Sequence, residues 1–352
     1  MDKQQVLSIL SGVTHPGEND KTIIELGLVQ DIAVDAGRVT VTLAFPKRPD
    51  PLKNYLEGAA KAALYRALPG GMEIEVKSVV RNPAPKQKAP EFTLEELASV
   101  RHIVGIASGK GGVGKSTVAV NLAIALARQG YRVGLADADV YGPSVPIMTA
   151  TEGDTPEMIK EGEKDIMLPI EKYGVKWMSV GYFAQPGQAL IWRGPMACSA
   201  LKQMILQVRW GVLDFLLIDM PPGTGDIHIS LVQEIPMEGA VIVTTPQDVA
   251  LADVEKGVDM FRNKSIDRPV FGLVENMAWF TPEAHPDERY FLFGDGGGAR
   301  MAERFGIPLL GQIPLVQSIR EGGDAGEPAA LGSRPDSLAF LDLAAKLAEK
   351  LG

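Results

Sequence analysis

Two lysines bracket a run of glycines in the stretch SGKGGVGKST, residues 108 to 117. Gly109, Lys110, Gly111, Gly112, Val113, Gly114, Lys115 and Ser116 fit GxxxxGKS, the spacing of a loop that cradles phosphates. Glycines let backbone N–H groups turn inward, and the N-terminus of the following helix adds a positive dipole. Lys115 can then reach the terminal phosphates of ATP, and the Ser116 hydroxyl can ligate Mg2+, with Thr117 next in the same turn. The flanks agree with that chemistry. RHIVGIAS is a strand-like apolar run, and STVAVNLAIALARQG carries Val118, Leu122, Ala125 and Leu126 on one helical face with Gly130 as the stop.

Lys110 is not required by the cradle, and its side chain cannot easily curl into its own loop. A second cation there points to action in trans on a partner's phosphates, offsetting charge on the transferred phosphoryl group as arginine fingers do. A solvated surface lysine is the plain alternative. Dimerisation is therefore an expectation. In LADAD, Asp137 and Asp139 emerge on the same side at the carboxyl end of a strand, where open α/β sheets bind ligands, although one of them could instead cap the next turn. Asp219 in LLIDMPPGTGD follows four apolar strand residues, the magnesium-associated position of such a site. The segment from Pro221 to Gly225 can switch, with the Gly223 N–H responding to the γ-phosphate. The four histidines, His15, His102, His228 and His285, are scattered.

These groups need elements to hold them. From residue 99 onward, β-rich runs (RHIVGIAS, YRVGLADAD, VKWMSVGY, LDFLLIDMP, GAVIVTTP, PVFGLVENM, PLLGQIP) alternate with helical stretches. Near-continuous apolar strands imply an α/β fold with a mostly parallel sheet covered by helices on both faces, over residues 99–352. Residues 1–80 read as a small α+β domain: two strands about the turn at Asp35 to Gly37, the helix LKNYLEGAAKAALYRAL, and the strand MEIEVKSVV. Between them, residues 81–98 open with the proline- and lysine-rich RNPAPKQKAPEF, expected to be a stiff tether. At 352 residues and a net charge of -9, without basic clusters, the chain is no candidate for nucleic-acid binding. No apolar run suggests a secretory signal or a membrane span, so a cytoplasmic location is expected. The single cysteine, Cys198, excludes an intramolecular disulfide and a thiolate-rich site within one chain.

KGGVGKS with lysine at its second position resembles the deviant-Walker group of P-loop proteins, which includes MinD, ParA-type partition ATPases, nitrogenase iron protein and the Mrp/ApbC iron–sulfur carriers. The resemblance implies ATP hydrolysis in a face-to-face homodimer, with Lys110 crossing to the partner's nucleotide, Asp139 orienting the attacking water and Asp137 helping around Mg2+. Longer stretches, among them LADADVYGPSVPIM, LIWRGPM, LLIDMPPGTGDIHISLVQ, TTPQDVALAD, GLVENMAWF and GQIPLVQSIREGGDAGEP, are similar to Mrp/ApbC in particular. The N-terminal module resembles the small domain shared with other iron–sulfur assembly factors. By this resemblance Asn276 of ENM is the adenine reader, and the clients are iron–sulfur apoproteins or assembly factors.

Many Mrp/ApbC members follow ENM with CxxC, and two chains then hold a four-iron four-sulfur cluster. This chain reads MAWFTPEAHPDERYFLFG there and FPKRPDPLKN in the N-terminal module, both without cysteine. Cys198 in GPMACSALKQM reads as a small buried residue near the start of a helix. His285 with Glu283, Asp287 and Glu288 reads as a solvated loop, with a harder metal as the rarer use. The rival class is a MinD/ParA-like positioning ATPase. Its membrane form needs a basic tail, whereas in SLAFLDLAAKLAEKLG the acids Asp342 and Glu349 offset Lys346 and Lys350, and the apolar face is expected to pack on its own domain.

Overall fold

The computed structural model describes residues 2–17, 21–35, 37–45, 52–68, 70–80, 93–140, 142–162, 164–183, 194–282, 284–285 and 287–352. The chain divides into two compact units, Met1–Glu91 and Phe92–Gly352. Residues 81–92 of the expected linker lie outside the described residues, as does most of the cysteine-free stretch FPKRPDPLKN, whereas residues 93–98 belong to the second unit, with Leu97 buried in its core.

The first unit opens with α1 (Lys3–Leu10), started by a capping box in which the Asp2 side chain accepts from the Gln5 N–H and the Gln5 side chain returns to Asp2. β1 (Val29–Asp35) and β2 (Arg38–Phe45) pair antiparallel, closing at Asp35 opposite Arg38. The alanine- and leucine-rich α2 (Lys53–Ala67) buries Leu56, Ala60 and Leu64, spaced four apart on one face. It leads to β3 (Glu73–Val80), which lies parallel to β2. Val6, Leu10, Val41, Leu43 and Leu64 belong to its core.

In the second unit, β4 (Val100–Ala107) leads to α3 (Lys115–Arg128), and β5 (Val133–Asp137) to the short α4 (Val145–Met148). A hairpin, β6 (Met158–Glu161) and β7 (Lys164–Met167), precedes β8 (Ile170–Lys172), β9 (Val175–Ser179) and α5 (Gly194–Leu206). Then come β10 (Leu213–Asp219), α6 (Asp226–Glu234), β11 (Gly239–Thr244), α7 (Asp248–Arg262), β12 (Val270–Phe280), α8 (Gly297–Phe305), β13 (Leu309–Leu315), α9 (Gln317–Ala325) and α10 (Pro335–Leu351).

Eight strands form one sheet in the order β13-β12-β11-β4-β10-β5-β9-β8, parallel throughout except where β8 meets β9. All seven strands read from the apolar runs lie in this sheet. The hairpin and β8 were not foreseen, because they are short and mostly polar or exposed. β4 lies inside the sheet, and the chain departs from it first to one side and then to the other. Such a reversal opens a crevice at the carboxyl ends of the strands. α3 is buried on nearly all sides from Val118 to Leu126, because α10 packs on its outer surface through a face that includes Phe340, Leu343, Ala344 and Leu347. The C-terminal helix thus spends its apolar stripe on its own domain.

Candidate active site

The turn after β4 is shaped by close approaches that only glycine permits. A Cβ on Gly109 would lie 2.1 Å from the Asp253 carbonyl oxygen of α7, so that helix closes directly on the loop. Gly114, the residue before α3, has φ +79 and leaves room for the Asn276 amide, which a Cβ would meet at 2.2 Å. Lys110 is exposed, and its carbonyl accepts from Ser108 Oγ at 3.0 Å. Gly111 and Gly112 are exposed beside it, while Val113 is buried.

Lys115 opens α3 and points back into the crevice, only 6% exposed. Its Nζ donates to Asp219 Oδ1 at 2.6 Å and to Ser116 Oγ at 3.2 Å, and lies 3.8 Å from Asp139 Oδ2. Asp219 ends β10 and Asp137 ends β5, and the two residues are direct register partners on neighbouring parallel strands. Two fully buried carboxylates side by side need compensation. Asp219 has Lys115, yet its Oδ2 has no hydrogen-bond partner. Asp137 Oδ2 accepts from Ser179 Oγ at 2.8 Å and from the Val145 N–H at 3.4 Å, and Oδ1 accepts from the Asp139 N–H at 3.1 Å. Burial and then the Asp219 charge push the Asp137 carboxyl up to about 7. Burial also raises Asp219, with the Lys115 ammonium pulling the other way. A buried carboxylate oxygen without a partner, beside a hydroxyl, is a donor set that suits Mg2+.

The loop after β10 is tied to the phosphate loop: the Gly223 N–H donates to the Ser108 carbonyl at 3.1 Å, with Gly223 at φ +94. His228 of α6, 3% exposed, holds the same loop from the other side, its Nε2 2.6 Å from the Pro221 carbonyl. Burial lowers its pKa, which favours the neutral ring that donates from Nε2. The sequence marked His228 only as one of four scattered histidines. Its spacing, nine residues after Asp219 in a strand-to-helix turn, was the available signal. Ser179, which anchors Asp137, carried none, because it comes from a strand 42 residues away.

Asn276 lies near the end of β12, with Nδ2 donating to the Val113 carbonyl at 2.8 Å, so its amide nitrogen braces the loop backbone. Glu275 beside it is fully buried and accepts from the Gly298 N–H at 2.9 Å, fixing β12 to the start of α8. Farther out, a cavity of about 520 Å³ opens at the carboxyl ends of β12 and β13, with Trp279, Arg289, Gln312, Pro314 and Asp336 in its walls. Cys198 is on α5, partly exposed. His285 Nδ1 is 3.7 Å from Glu288 Oε1 on the surface, and among the described residues no group of three or more metal-binding side chains forms.

A family described as NUBPL iron-transfer P-loop NTPase matches residues 99–351, and one described as iron-sulfur cluster assembly protein matches residues 3–77. The chain belongs to the NUBPL iron-transfer P-loop NTPase family. A relative from Synechocystis, named iron-sulfur cluster carrier protein, is 42% identical over 332 residues, covering 94% of this chain and 92% of its own length. Among solved structures, a nucleotide-binding protein in complex with ADP from Archaeoglobus fulgidus is 34% identical with a TM-score of 0.60, over 70% of this chain and 94% of that one. The septum site-determining protein MinD from Pyrococcus horikoshii, 22% identical, has a TM-score of 0.50 over 72% and 98% of the two chains. That last likeness is one of fold. The family match favours the iron-transfer branch over the positioning ATPases. Among the described residues no helix is long and apolar enough to cross a membrane.

Proposed function

We propose that the protein is an ATP-hydrolysing homodimer that drives iron–sulfur cluster transfer to client apoproteins. The observation that carries this reading is the convergence of Lys115, Asp219 and Asp139 at the carboxyl ends of two adjacent parallel strands. The backbone N–H groups of the glycine loop and the α3 dipole bind the phosphates, and Lys115 exchanges Asp219 for the terminal phosphate oxygens. Ser116 and Asp219, with Asp137 behind them, hold Mg2+, which offsets charge on the phosphates when bound. Asp139 orients the attacking water. The base is seated in the cavity beside β12 and β13. That cavity lies two strands or more from the phosphate loop, roughly 10 Å or beyond at normal strand spacing. Asn276 braces the loop through the Val113 carbonyl, and Thr117 follows Ser116 in the first turn of α3.

Lys110 acts in trans. Its exposure and its redundancy within its own loop support this role, and it requires a second copy facing the first. The Gly223 contact to Ser108 supports a switch in which the loop after β10 follows the γ-phosphate. The N-terminal domain recruits the client.

The cluster is cargo. A four-iron cluster takes four thiolates, whereas two copies of this chain offer only two, from Cys198, so the residues present do not fit a resident cluster. The chain's contribution is the nucleotide-driven change of shape. The test is an anaerobic transfer assay to an acceptor apoprotein, run with wild type and Lys110→Ala. Wild type should accelerate transfer only with hydrolysable ATP. Lys110→Ala should bind ATP normally, lose hydrolysis by on the order of a thousandfold, and fail to stimulate. Normal hydrolysis by the variant overturns the trans role, and transfer indifferent to ATP overturns the assignment of cargo.

A further inference from the structure

We infer that the Trp279 indole and the Arg289 guanidinium stacked on it form a one-sided clamp, a platform for one face of the purine base of the nucleotide. The inference rests on the base being seated in the cavity beside β12 and β13.

The clamp is built by a short sequence of local steps. Asn276 lies against the phosphate loop, and Met277 takes the left-handed conformation, φ +57, where the pairing of β12 with β13 is irregular between Asn276 and Phe280. Phe280 and Tyr290 then exchange both backbone hydrogen bonds, each 2.8 Å, and close a hairpin. That pairing brings Arg289 over Trp279, with the guanidinium carbon 4.2 Å from the ring centroid. Both residues line the cavity, together with Gln312 and Pro314 of the neighbouring β13. Trp279 is only partly buried, so its ring is not spent on the domain core. Among the described residues no carboxylate pairs with Arg289.

A planar cation stacked on an indole, at the rim of a cavity wide enough for a base, is a surface suited to a flat heteroaromatic ring. Base–aromatic stacking of this kind is tolerant of base identity.

The test measures binding of Mg-ATP and of magnesium tripolyphosphate, together with steady-state hydrolysis. The full-length proteins compared are wild type, Trp279→Leu, Trp279→Phe, Arg289→Gln and Gln312→Trp, the last a plug introduced from β13. The clamp predicts that Trp279→Leu and Arg289→Gln bind ATP roughly tenfold more weakly while tripolyphosphate binding is unchanged. KM should rise with kcat preserved, and Trp279→Phe should restore most of the affinity. The fluorescence change on adding ATP to wild type should be lost in Trp279→Phe. If Gln312→Trp abolishes ATP binding while Trp279→Leu and Arg289→Gln bind as wild type, the base seat stands and the clamp is wrong. If all three bind ATP as wild type, the base lies elsewhere and the seat itself falls. Equal weakening of ATP and tripolyphosphate by Trp279→Leu shows a structural role only and also overturns the clamp.

Discussion

Lys115 and its carboxylates were legible in the sequence because the phosphate loop is a local construction. Strand, glycines, lysine and helix follow one another within thirty residues, and Asp219 ends an unmistakable apolar run. His228 was not legible, since its partner is the Pro221 carbonyl, and a backbone acceptor leaves no trace in residue types. The same holds for Ser179 and for the cavity beside β12 and β13, which are assembled from segments far apart. His228 acts by holding the loop that carries Gly223, so its loss should affect turnover more than binding. His228→Leu is expected to lower kcat about tenfold, the equivalent of one neutral hydrogen bond, with ATP affinity within a factor of two or so. His228→Gln, which can still donate to Pro221, should recover part of the rate. Steady-state hydrolysis alongside calorimetric ATP binding checks this, and a parallel loss of affinity and rate would mean that the loop is merely misfolded.

At the level of elements, the strands with continuous apolar runs were readable, and the β6, β7 and β8 segments were not. Four- and three-residue strands with exposed polar positions carry no period strong enough to detect. The sheet's registration also depends on charged groups at its edges. Arg132 clamps Asp214 three times, through its backbone N–H at 2.8 Å, Nε at 3.0 Å and a terminal guanidinium nitrogen at 2.7 Å, fixing the start of β5 against β10. The Arg132 hydrogen bonds hold the Asp214 carboxyl down to about 2, below its ordinary 3.8. A depressed carboxyl contributes its stability fully above the unfolded value and loses it as pH falls toward the folded one. Asp214→Asn should therefore destabilise the protein by about 1 kcal/mol or less at pH 7, the guanidinium being largely exposed. The gap between wild type and variant should persist at pH 5 and narrow from pH 4 to pH 2. Urea melts across that range decide it, and a gap that widens on acidification would rule the clamp out.

For the molecule as a whole, the two units have separate cores, and the larger one carries the site with a single cysteine in the entire chain. Protein purified without oxygen and then exposed to iron and sulfide should retain well under one four-iron cluster per two chains, measured as iron and acid-labile sulfide. A stoichiometric cluster would show that non-thiolate ligands suffice and would return the cargo to the chain itself. The ammonium of Lys115, already partnered by Asp219, has one more effect on the assembly. A triphosphate entering beside that ammonium also meets the neighbouring carboxylates Asp219 and Asp137. A chelated triphosphate, bringing its own countercharge, should therefore fit this crevice better than the naked tetraanion.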